Sequence, residues 1–266
     1  MIILCLFPVQ ETHHRLLIML EPFPQFKSPP IKEAIFGITF KEAVEGYRLT
    51  QFLNTDIVKE RFPNIIPGMM LEVSADEKTA GIKTAHKPAG YQLRSANENS
   101  RLLDIKPTQL TYHNLTKYDG WDVMIEELKG LWSAFCLSVG KTQLSQLSVR
   151  YINHIMLPLP MSNGFGEYIK LLPQVPEGIS PTLNNFFLQI NIPVADDAHA
   201  TATETILGPQ PGGNKLDFLL DLIVVKNGNF DCNETEMWDA FIELRAHKNN
   251  LFSSCITEKT KELFSV

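Results

Sequence analysis

Two constellations in this chain have residue types and spacings that could do chemistry. Arg150 and His154 alternate with Ser148 in the run 143–158, and Asp217 and Asp221 alternate in the run 216–225. Read as strands, each pair shares one face, because side chains alternate with period two. Adjacent strands would let Arg150 take one aspartate and leave the other beside His154, an acid/base pair in outline. The plainer outcome is an inter-strand salt bridge on a half-buried sheet face. The second constellation is Arg245, Lys248 and Asn249, spaced to share one face of a helix. Lys259 follows after a turn, and Thr257 reads as the N-cap of a last helix whose N-terminus can take an anion. A phosphate or carboxylate suits this group. Its plainer outcome is a polar cap in which cations of a last helical turn offset the dipole.

Other motifs fail on spacing. Gly208-Pro-Gln-Pro-Gly-Gly-Asn214 is glycine-rich but lacks the Walker spacing and its Lys-Ser/Thr ending. Gly140-Lys141-Thr142 has the ending, but it follows a helical pattern and opens a strand, the reverse of a phosphate loop. The histidines form no HxH or HExxH, and no GxSxG occurs. Cys5, Cys136, Cys232 and Cys255 are scattered without a CxxC, which argues against structural zinc; Cys136 falls in an apolar helical pattern and reads as a buried free thiol. No metal and no cofactor is expected, and the balance leans away from catalysis.

At 266 residues and 44% hydrophobic, the chain can bury one large core or two modest ones. A net charge of −6 and no basic block disfavour nonspecific nucleic-acid binding, which needs a positive field. The opening MIILCLFPV is too short to span a bilayer, has no basic leader, and runs into Glu11, His13, His14 and Arg15. Met19 opens a natural-looking start, so residues 1–18 are read as an extension or N-terminal arm. The thiol usage fits a reducing cytoplasm.

The elements that must position these residues follow from periodicity. Proline-rich 21–30 leads into a strand over 31–40, then a helix over 42–61 that Pro63 ends. Strands are expected at 69–75, 80–85, 90–95 and 102–112, and then a helix over 119–139, with Trp121, Met124, Leu128, Trp132 and Phe135 on one stripe and Gly140 as its stop. The run 143–158 is the central strand. Asn153 is the one polar residue on its apolar row, so it must find hydrogen-bond partners or cost about 1–3 kcal/mol, and it is expected to fix a neighbouring loop or strand edge. Beyond it come a short helix at 165–172, strands at 185–193, 201–207 and 216–225, and a turn at 226–229. A helix over 234–250 capped by Asn233 and a last one over 258–264 close the chain. Strands precede a Trp-Asp-bearing helix in both halves, at Trp121 and at Trp238. The expectation is an α+β fold of two related lobes, 19–160 and 161–266, of mostly antiparallel sheet packed with helices, in the pattern of an internal duplication; a single mixed sheet is the alternative.

Pro30-Ile31-Lys32-Glu33-Ala34, Arg150-Tyr151-Ile152-Asn153, Leu244-Arg245 through Lys248-Asn249 to Leu251-Phe252, and Ile256-Thr257-Glu258-Lys259 together resemble a sporadically distributed prokaryotic family of uncharacterised proteins of about this length. The likeness extends over residues 19–266. It implies a cytoplasmic bacterial or archaeal protein, and the patchy distribution points to mobile or defence-associated genes. It carries over no activity and no catalytic residue. The first expectation is a non-enzymatic binding or adaptor protein, a partner or immunity component in a defence system. Its ligand is a protein encoded by a neighbouring gene, with room for a small anion and for self-association. The alternatives are an enzyme using Arg150, His154, Asp217 and Asp221, and a nucleic-acid binder using Arg245, Lys248 and Lys259.

Overall fold

A long period-two run must become a strand with one dry row, and the computed structural model places that strand at the middle of its sheet. Residues 23–76, 81–96, 100–178, 183–232 and 235–265 are described. In chain order the elements are β1 (Ile31–Phe40), α1 (Gly46–Leu53), α2 (Asp56–Arg61), β2 (Asn64–Asp76), β3 (Gly81–Arg94), β4 (Arg101–Lys106) and β5 (Gln109–Asn114). Then come α3 (Trp121–Val139), β6 (Gln143–Pro158), β7 (Phe187–Ala195), β8 (Ala198–Pro209), β9 (Lys215–Asp231), α4 (Thr235–Cys255) and α5 (Glu258–Glu262). The fold is α+β, as expected. Among the described residues nine strands form one sheet in the order β2-β3-β4-β5-β1-β6-β9-β8-β7. Every neighbouring pair is antiparallel. The elements on either side of residue 160 therefore share a continuous sheet, with β9 hydrogen-bonded along almost the whole of β6. Among the described residues no helix is long and apolar enough to cross a membrane.

The core lies where the helices meet the dry rows of the strands. Phe36 and Ile38 of β1, Val149 and Tyr151 of β6, and Val224 of β9 pack with Trp121, Met124, Leu128 and Phe135 of α3 and with Phe241 and Leu244 of α4. A second cluster, built on Ile155, Leu157, Phe218 and Leu220, packs under Phe252, Cys255 and Ile256. Each such side chain contributes roughly 1.5–3 kcal/mol by leaving water. Asn153 sits in the dry row, and its amide donates to the carbonyl oxygens of Tyr151 and Leu220. It ties β6 to β9, as its pattern required.

Several boundaries differ from the expectation. The helix over 42–61 is two helices, because Asn54 and Thr55 turn their side chains onto the carbonyls of Thr50 and Phe52 and interrupt the ladder. The expected strands at 80–85 and 90–95 are one strand, β3, whereas 102–112 divides into β4 and β5. Only a 3-10 turn, Phe165–Glu167, forms in 165–172. The turn expected at 226–229 is strand, since β9 continues to Asp231. Two expectations, the arm at 1–18 and the cap at Asn233, lie outside the described residues.

The helix α4 carries the largest correction. It runs to Cys255 and has no basic residue in its last turn. Arg245, Lys248 and Asn249 are mid-helix residues, and the terminal dipole falls off within a turn. Dipole compensation therefore does not account for them.

Candidate functional site

The helical period of α4 puts Phe241, Leu244, Phe252 and Cys255 in one buried row, and Lys248 falls in the same row. Only 7% of Lys248 is exposed. Its Nζ lies 3.9 Å from the centroid of the Tyr151 ring and 5.7 Å from that of Phe23. Among the described residues it has no hydrogen-bonding or ionic partner. Burial first, and the Arg245 guanidinium second, push its pKa down to about 7. Aromatic faces favour the ammonium form by about 1–2 kcal/mol, less than the cost of stripping its water.

Around Lys248 the fold leaves a cleft of about 390 Å³. Arg245 stands one helical turn away, its guanidinium 5.0 Å from the Trp121 ring. Tyr118 and Tyr151 share a hydrogen bond of 2.9 Å between their hydroxyls, and burial raises both above the usual phenol value. The N-terminus of α3 opens onto the same space: Gly120 through Val123 line it, and Gly120, at φ +106°, offers no capping side chain. First-turn N–H groups without a capping side chain favour an anion. Lys27 and Lys117 also line the cleft, as do Asp119 and Asp122. Asp119 is engaged by Arg101 at 2.6 Å. Three of the segments that stand out in the sequence meet here, through Ile31, Tyr151, and Arg245 with Lys248 and Asn249.

The remaining candidates lie elsewhere. Arg150 grips Asp221 through Nε at 2.9 Å and through a second nitrogen, and His154 Nδ1 stands 3.4 Å from Asp217. The strand pairing anticipated for these four is therefore real, on the face of β6 and β9 opposite the Lys248 cleft. Thr257 caps α5, accepting from the Thr260 N–H, and its own hydroxyl donates to the Glu167 carbonyl. Lys259 pairs with Glu167. These two residues hold the C-terminal turn to the loop at 165–168, away from Arg245 and Lys248.

Sequence reading missed four residues. Tyr118 and Phe23 give no signal, since a lone aromatic beside a helix start or in a proline-rich entry can go either way. Glu204 has period-two neighbours Ala200 and Ala202 that mark its row as dry, and that was the available clue. It is fully buried, neither carboxylate oxygen has a hydrogen-bond partner among the described residues, and burial raises its pKa to about 8. His113 bridges toward two acids, with Nδ1 2.7 Å from Glu33 and Nε2 3.6 Å from Asp104, the second too long for a hydrogen bond. Among the described residues no group of three or more His, Cys, Asp or Glu side chains could hold a metal ion. No family model and no curated protein matches the chain.

Proposed function

We propose that the chain is a binding protein for a small anionic ligand, taken into the cleft beside Lys248. The observation that carries this reading is Lys248 itself: a lysine buried in an aromatic box, without a partner among the described residues, lining a cavity with Arg245. An ammonium held against aromatic rings on the wall of a cleft, with an arginine one helical turn away, gives that cleft a positive field suited to an anion. An anion in the cleft would take the Lys248 charge, the forked Arg245 donors and the first-turn N–H groups of α3 together. The aromatic walls favour a ligand with a flat or apolar body. Thermal melts of the full chain against phosphate, pyruvate and benzoate test this. A carboxylate or phosphate that binds should raise Tm, and Arg245→Gln should weaken the effect roughly tenfold in ligand concentration. Arg150→Ala should leave it unchanged, because the Arg150–Asp221 pair lies on the other face. A rise in Tm that survives Lys248→Met and Arg245→Gln together would sink the proposal.

A second reading, an adaptor for a protein partner in a defence system, is supported by the edge strand β7. It carries no charged residue from Phe187 to Ala195, and Phe187 is 69% exposed. Uncharged edges are templates for another chain. Co-purification of a stoichiometric protein that Phe187→Lys releases would favour this role over the small ligand.

A further inference from the structure

Lys248 and Arg245 are separated by one turn of α4 and line one cleft, so their charged ends reach into the same space. A pair of this kind can hold two adjacent functional groups of one small molecule. Resting on the binding role above, we infer that the Lys248 amine forms an imine with the carbonyl carbon of a small 2-oxo acid, whose carboxylate is held by Arg245.

The geometry supplies what the condensation needs. Lys248 Nζ sits over the Tyr151 ring, where loss of water and the nearby Arg245 charge outweigh the pull of the aromatic face and make the amine easier to deprotonate. Its pKa of about 7 leaves a large fraction with a free lone pair near neutral pH. The nitrogen lone pair attacks the carbonyl carbon and the π pair moves to oxygen, giving a carbinolamine. The nitrogen then loses its two protons in all, oxygen gains two, the C–O bond breaks, and water leaves behind a C=N bond. Nothing is oxidised or reduced. Arg245 balances the carboxylate throughout, and its charge disfavours the ammonium form of Lys248. Asp122 is the carboxylate lining the cleft that Arg101 does not engage, and it stands in the first turn of α3, where the helix dipole suits it.

The test is reductive trapping of the full chain with pyruvate and cyanoborohydride, read by peptide mass mapping. Hydride reduces the imine to a stable amine, so a modified lysine gains the mass of one pyruvate less one oxygen. The expected result is labelling concentrated on Lys248, on the order of a hundred-fold faster than on exposed lysines of ordinary pKa. R245Q should slow it about tenfold, and acetone, which lacks the carboxylate, should label Lys248 poorly. If pyruvate raises Tm while Lys248 stays unlabelled, the imine is overturned and the binding role stands. Even labelling across all lysines also overturns it. If pyruvate, phosphate and benzoate neither shift Tm nor label Lys248, both proposals fall.

Discussion

At the scale of single residues, two buried ionisable groups tie stability to pH in opposite directions. Lys248 has a folded pKa of about 7, below the roughly 10.4 of an unfolded lysine. Between these values the unfolded chain binds more protons, so this group makes stability rise with pH above 7 and lowers it most below 7. Lys248→Met should be more stable than the parent at pH 6 by roughly 1–3 kcal/mol, and should lose that pH-dependent rise in thermal melts. Glu204 behaves the other way. Its folded pKa of about 8 exceeds the roughly 4.3 of an unfolded glutamate, so its penalty grows as pH rises through that window. Glu204→Leu should raise Tm at pH 8 and have little effect at pH 4; an equal shift at both values would refute this account.

Secondary-structure elements are joined at a few positions that tolerate no side chain. Gly90 of β3 sits at φ +127°, and a Cβ there would fall 2.0 Å from the Ile105 carbonyl oxygen of β4. Both the left-handed backbone and the backbone contact oppose substitution. Gly90→Ala should cost at least about 3 kcal/mol and shift the urea midpoint accordingly. Little of this was legible beforehand: the sequence reading placed two strands, 80–85 and 90–95, where β3 runs unbroken through Gly90. What it does there, letting β3 bend against β4, was not legible, because the clash is with a residue fifteen positions away. α3 and β6 were read nearly to their ends for a physical reason, since each has an uninterrupted period and a glycine or proline stop. The helix over 42–61 was misread because Asn54 and Thr55 compete for the backbone without breaking the apolar stripe.

At the scale of the whole molecule, the described residues form one nine-stranded antiparallel sheet packed with helices, with β2 and β7 as its outer strands. β2 shows Ile66 and Met69, and β7 shows Phe187, all substantially exposed. Native edges are commonly blunted by a charge, and β7 has none. Phe187→Lys should reduce concentration-dependent association in sedimentation velocity without lowering Tm by more than a few degrees. A parent protein that stays monomeric at high concentration would remove the basis for this expectation.

Composition and periodicity determined the fold class, the dry row of β6, the aromatic stripe of α3 and the helical grouping of Arg245, Lys248 and Asn249. These properties are set by neighbours within a turn or two of chain, so they can be read locally. Only the tertiary structure decided that Lys248 is buried against Tyr151, that Arg245 lies on Trp121, and that Thr257 and Lys259 belong to a separate contact. Burial and pairing depend on which segments meet across the sheet, and Tyr151 and Lys248 are brought together by packing α4 onto β6 from nearly a hundred residues along the chain. The sign of a lysine's electrostatics, solvated cation or desolvated amine, rests on that packing.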